Sequence, residues 1–386
     1  VVGNIVSVVD YTNTFQTNAL TVAPNGSEKI GGIAAPNNLS TEGQSVTFVY
    51  VDGTEGWKNI QDSTSNVTGN PNLIATGGTI TTSGNCKIHT FTGPGSFVVS
   101  SISQTAPHNV VSYMVVAGGG AGSCGGGSGG GGGGAGGFRE VKTPDTPYTA
   151  SPLDGYPTAP NRVTVTATSF PITVGGGGAD APTAAARSGS SSIFSSITSA
   201  GGGGGGSFSA GGNGGSGGGG GGGYDPPQSP DAGGLGNTPP VSPSQGSTGG
   251  TSNTCANGPA RNGGGGGGAT AVGANAFTGP APSPCTTNGA GGNAALTSII
   301  GSANYYSGGG GGAKGESGPG SPSGGNGVGG RGAAGGGGNT PMITSTGGTA
   351  NRGGGGGAVI QNSPTYNFPS TTNGGSGIVI IRYKFQ

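Results

Sequence analysis

The chain has 386 residues, of which 98 are glycine, about a quarter against the roughly 7% of an average protein. Charged residues are 7%, and 13 bases balance 13 acids. That excludes both the clustered Lys and Arg of a nucleic-acid binder and disorder driven by self-repulsion. No apolar run approaches the roughly 20 residues that span a bilayer, so no membrane insertion is expected. The opening "VVGNIVSVVDYT" lacks the basic start and small-residue cleavage site of a signal peptide. A role outside cells would need another route out, or a leader already trimmed.

Residues 1–75 read as a first β module. "NIVSVVDYT", "ALTVAP" and "SVTFVYVDG" carry β-branched and aromatic residues, several in alternation, bounded by Asn, Gly, Pro and Asp. Trp57, in "GTEGWKNIQD", reads as a packing residue more readily than as a ligand platform. Over 76–117 the pattern continues as a second module. "CKIHTFTG", "GSFVVSSIS" and "NVVSYMVVAGGG" are separated by Gly-Pro and Pro-His turns that suit antiparallel pairing. The nearest helical candidate, "DAPTAAARS", is too short to stand alone.

From 118 to 376 glycine tracts recur at 118–137, 175–178, 201–206, 211–223, 263–268, 308–312, 329–338 and 353–357. Segments rich in Pro, Ser and Thr lie between them. The last residues, 377–386, form a closing strand, "GIVIIRYKFQ", expected beside the run that ends in "SYMVVA". A single glycine tract is a flexible linker. Repeated tracts interleaved with β-type segments such as "RVTVTA" and "FPITVGGGG" are not explained that way.

The ordered alternative is a bundle of polyproline-II helices, each with three residues per turn and no internal hydrogen bonds. Their outward-pointing N–H and C=O groups need partners when buried. Neighbouring helices supply them only where side chains do not hold the backbones apart. Ordering costs about 1–2 kcal/mol per residue and each net hydrogen bond returns about 0.5–1.5. A pair of tracts would therefore not suffice, whereas a bundle bonded on several sides roughly breaks even. Ala121, Ser128, Asn213 and Ser216 are expected at outward positions of such helices. The fold expected is thus mostly β with a glycine-rich polyproline-II bundle, amino-terminal β modules and no substantial α-helix.

"VVSYMVVAGGGAGSCGGGSGGGGGGAGGFRE", "PITVGGGG", "SSIFSSITSAGGGGGGS" and "GGSGIVIIRYKF" resemble the glycine-rich domains of tailed-phage fibre proteins. "LSTEGQSVTFVYVDGTEGWKNIQDS" is similar to β modules in fibre-like proteins of marine phages. The resemblance implies a polyglycine scaffold whose variable loops touch the host receptor at a fibre tip. It implies a location on the virion surface and two kinds of partner: a host-cell receptor (glycan or outer-membrane protein) and other virion fibre proteins. It also implies homo-oligomers, trimers among them. The rival readings are a subunit of an extracellular filament or surface layer, and an ice-binding glycine-helix protein. The irregular loops argue against the last.

No constellation of catalytic or metal-binding residues stands out, and no cofactor is expected. "GGSGG" around Ser128 and Ser216 matches the nucleophile-elbow pattern only formally, outside a strand-to-helix context. Ala313 before Lys314 breaks any phosphate-loop pattern, and the thinly scattered carboxylates form no glycosidase pair. Cys86, Cys124, Cys255 and Cys285 lack CxxC spacing; Cys255 and Cys285 are either paired across a loop or free thiols. The binding candidates are loop aromatics, which supply rigid contact area with a polar tip: Tyr148, Tyr156, Tyr224, Tyr305, Tyr306, Tyr366 and Phe368. Tyr148 and Tyr156 are expected at the surface, and Tyr305 and Tyr306 against the end of the tract at 308. Arg261 and Arg352, just before tracts, are expected to satisfy terminal carbonyls.

Overall fold

The computed structural model describes residues 1–63, 72–126, 129–179, 187–222, 230–253, 262–276, 289–314, 322–333, 344–361 and 372–386. The chain is mostly β. The helices among these residues are 3-10 turns of three or four residues.

The amino-terminal module contains β1 (Ile5–Val9), β2 (Leu20–Val22), β3 (Asn37–Leu39), β4 (Ser45–Asp52) and β5 (Gly56–Asp62). β4 is the middle of an antiparallel sheet in the order β1-β4-β5, and β2 pairs with β3. The strand period of two turns Val46 and Phe48 of β4 inward, onto Ile30 and Leu39.

The next strands are β6 (Ile74–Thr76), β7 (Thr79–Ser83), β8 (Cys86–Phe91), β9 (Gly95–Ser101), β10 (Val110–Val116), β11 (Cys124–Gly126), β12 (Phe138–Val141), β13 (Val163–Thr164), β14 (Ser169–Thr173), β15 (Ser192–Phe194) and β16 (Ile197–Ser199). The hairpin β17 (Ala295–Thr297) and β18 (Asn304–Tyr306), then β19 (Val359–Gln361) and β20 (Ile378–Lys384), complete the set. β12-β10-β20-β8-β7 form one sheet, with β13 also on β10, and β16-β15-β14-β9-β6 form another. β10 and β20 pair antiparallel, Val115 opposite Val379, as the matching apolar runs suggest.

Between the two sheets lie Phe97, Tyr113, Val115, Phe194, Ile381 and Tyr383. On the opposite face of β10 and β20, Met114, Val116 and Ile380 meet Ile299 and Tyr306. Burial on both faces explains why "VVSYMVV" and "IVIIRY" are nearly continuous apolar runs rather than alternating ones.

Beyond this base the glycine tracts form a hydrogen-bonded lattice. In the run 117–123, successive amides donate to Gly137, Ser190, Gly375, Gly134, Arg187, Thr372 and Gly131, at 2.8–3.0 Å. Every third residue thus returns to the same neighbour, the geometry of a threefold helix. The carbonyls of Gly118, Gly119 and Gly120 accept from three further tracts, through Gly202, Gly178 and Gly356. One helix is therefore bonded to six others. The run 131–137 repeats the pattern, donating in turn to the tracts of Gly206, Gly264 and Gly356. It accepts from those of Ser123, Gly219 and Gly310.

The close approach is what demands glycine. A Cβ on Gly131, Gly132 or Gly133 would overlap the carbonyl oxygens of Gly219, Gly310 and Gly120 respectively. All faces of an interior helix are closed in this way, including those of Gly217–Gly221. The threefold period therefore appears in the identity of the neighbour, not in tolerance of side chains. Asn213 is exposed as expected, but Ala121 and Ser216 are fully buried, and Ser128 lies outside the described residues. Buried methyls fill gaps between helices: Ala313, Ala333 and Ala358 pack together with Ile360.

Candidate functional site

The lattice has two unlike ends. At one end its helices run into the base sheets: Ala117 follows β10, Gly137 precedes β12, Ala200 follows β16 and Gly377 precedes β20. At the other end, short bonds tie together residues on both sides of the connecting segments. Gly222 donates to Gly129, Ser252 to Asp231, Asn253 to Asn262 and Ala276 to Thr251. Gly312 donates to Gly289, Lys314 to Ala333, Gly332 to Pro322 and Ala333 to Ala358. Gly122 donates to Thr372 and Ala121 to Arg187. The chain positions flanking 180–186, 223–229, 254–261, 277–288, 315–321, 334–343 and 362–371 therefore all sit at this distal end.

Side chains complete the lattice there. Ser252 Oγ accepts from the Asp231 amide at 2.8 Å, Thr346 Oγ1 from Arg331 at 2.8 Å and Asn253 Oδ1 from Asn262 at 3.2 Å. The Ser123 hydroxyl donates to the Gly206 carbonyl. Burial pushes the Asp231 carboxyl up and the Lys314 ammonium down, so both resist ionisation. The described part of this end is polar, and the Arg187 and Arg331 side chains are exposed on it.

The four described candidates lie at the base end. Tyr148 is half-buried rather than at the surface. Its hydroxyl donates to the Val141 carbonyl at 3.3 Å, and the Lys142 ammonium and the Arg382 guanidinium lie 5.9 and 5.4 Å from its ring centroid. Burial first, then Glu140 and Asp154, push its phenol up. Tyr156, also half-buried, packs on the inter-sheet core with Arg162 stacked 4.4 Å away. Tyr306 is buried in the second core, while Tyr305 is 37% exposed. Arg352 donates to the Tyr305 carbonyl at 3.1 Å and to Asn304 Oδ1 at 2.7 Å. The carbonyl it meets thus belongs to β18 and not, as expected, to the end of a tract. Tyr224, Tyr366, Phe368, Arg261, Cys255 and Cys285 lie outside the described residues.

Serine 216 has no hydrogen-bond partner for its hydroxyl, so no base touches it. His89 is buried among Phe97 and Tyr383 in the base. Sequence reasoning missed three buried charges that shape the base. Glu140 accepts from the Ser151 amide at 2.8 Å and the Thr297 hydroxyl at 2.5 Å, and burial pushes its carboxyl up. Arg382 donates to the carbonyls of Ile299 and Pro147, both at 3.0 Å, and Arg139 donates to Asn161 Oδ1 at 2.6 Å. Nothing local in "FREV" or "IRYK" marks these charges as buried; only the pairing of their strands does.

A mostly β base carrying a hydrogen-bonded glycine lattice defines the class of protein. Residues 92–384 match the sequence model of the glycine-rich domain family, and the chain belongs to that family. No curated protein matches it. No helix among the described residues is long and apolar enough to cross a membrane.

Proposed function

We propose that the chain is a non-enzymatic structural protein of a virion surface, a fibre-tip adhesin whose lattice carries receptor-binding connections at its distal end. The observation behind this reading is that the described residues flanking seven long connections all meet at that one end. A scaffold held by backbone bonds leaves its connections free to vary without cost to the fold. The sequences of those connections differ from one another and include Tyr224, Tyr366 and Phe368.

This reading assigns recognition to the distal end and structural roles to Tyr148, Tyr156 and Tyr306. Residues 138–162 fall at the base, and the described residues on either side of 223–229 and 254–261 fall at the distal end. The partner is a host-surface receptor, with homo-oligomeric assembly on a fibre. The test is an adsorption assay in which purified protein competes with the parent particle. Replacing Tyr224, Tyr366 and Phe368 by Ala is expected to abolish competition while leaving the melting temperature unchanged. Protein that never competes, or distal-loop exchanges that compete equally well, would overturn the adhesin reading in favour of a filament or surface-layer subunit.

A further inference from the structure

Trp57, the sole tryptophan of the chain, stands in a groove of about 200 Å3 lined also by Val6, Val22, Pro24, Asn25, Glu28 and Phe48. The ring is held from several directions. Its backbone N–H donates to Lys29 at 2.7 Å and its carbonyl accepts from Gly31 at 2.8 Å. The preceding Gly56 has φ +71°, and a Cβ there would overlap the Lys29 carbonyl, so only glycine lets the strands approach this closely. The indole Nε1 donates to Glu28 Oε2 at 2.9 Å, and Tyr50 packs edge-on at 5.5 Å. Val6 and Phe48, paired across β1 and β4, form the apolar wall.

We propose that this groove binds a single pyranose ring, with its C–H face on Trp57 and a hydroxyl donating to the Glu28 carboxylate. The volume is below the roughly 300–1,000 Å3 of drug-sized sites, which suits one ring rather than an extended ligand. A purely apolar ligand would cover a half-buried carboxylate served only by the Trp57 indole Nε1, which is costly. An anionic ligand would be repelled by it. A pyranose combines an apolar face with hydroxyl donors, and Asn25 adds an amide at the rim. The site lies in the amino-terminal module and does not rest on the receptor reading of the distal end.

Because Trp57 is the only tryptophan, its fluorescence reports on this groove alone. Titration of the full chain with methyl hexosides and methyl N-acetylhexosaminides is expected to give a saturable change for at least one sugar. The midpoint should be on the order of millimolar, as about a dozen ligand atoms at modest efficiency allow. Glu28→Gln keeps an acceptor for the indole but removes the charge, and should weaken binding about tenfold, since hydrogen bonds to charged groups are the stronger ones. Saturation-transfer NMR on the unaltered chain should place the C–H face of the sugar against the protein. No saturable response to any sugar, equal midpoints in Glu28→Gln, or a response only to alkylammonium ions (which aromatic faces also attract) would overturn the proposal.

Discussion

The Gly120 amide donates to the Gly134 carbonyl at 2.8 Å, joining two runs that cross the lattice in opposite directions. Each of these residues also bonds a further tract: Gly120 accepts from Gly356, and Gly134 donates to Gly203. In place of side chains, backbone groups on several faces of each helix hold the interior together.

Glycine should therefore be required by position, not by composition. A Cβ on Gly133 would overlap the Gly120 carbonyl, whereas beside Gly176 there is open space. Gly133→Ala is expected to destabilise by about 1–3 kcal/mol through overpacking, and Gly133→Val by more. Gly176→Ala should stabilise by about 0.4–1 kcal/mol, because it restricts the unfolded chain. Denaturant unfolding of the variants side by side checks both signs.

Ser216 offers the opposite case. Its side chain is fully buried and its hydroxyl has no partner, so the hydroxyl is desolvated without return. Ser216→Ala should raise stability by about 1 kcal/mol, visible as an increase in melting temperature. A decrease would mean that the hydroxyl finds a partner in solution.

His89 predicts a pH dependence. Its Nδ1 lies 2.7 Å from the Gly77 carbonyl and its Nε2 3.3 Å from the Tyr383 hydroxyl, which suits a neutral ring donating through Nδ1 and accepting at Nε2. Burial holds it below its ordinary value of 6.5. Between the folded value and 6.5 the unfolded chain binds more protons, so stability is complete above 6.5 and is lost as pH falls towards the folded value. The melting temperature should drop from pH 7.5 to 5.5. In His89→Phe, less stable at neutral pH, that drop should be visibly smaller.

Much of this architecture was legible in the sequence. Alternating and apolar runs marked the strands, and the likeness of "SYMVVA" to the closing "IVII" anticipated the pairing of Val115 with Val379. The recurrence of glycine tracts anticipated their order. Which non-glycine residues the lattice admits was not legible. Ala121 and Ser216 look like outward substitutions, yet each is enclosed by tracts distant in the chain. The aromatics misled for a related reason. Tyr148 lies in a loop rich in Pro and Thr, but the loop folds back over Arg382, whose strand lies more than two hundred residues later in the chain. The unlike ends of the lattice emerge only when the bonds are traced from helix to helix.

The central claim is that the glycine tracts are an ordered, bonded lattice, and amide hydrogen exchange tests it most directly. The amides of 118–122, 131–137 and 215–220 should be protected nearly as well as those of β10 and β20, since their opening requires the interior to come apart. Gly176, beside open space at the surface, should exchange faster than these. Exchange at unfolded-chain rates throughout 131–137 and 215–220, with β10 and β20 still protected, would show the tracts to be flexible tethers and would contradict the account.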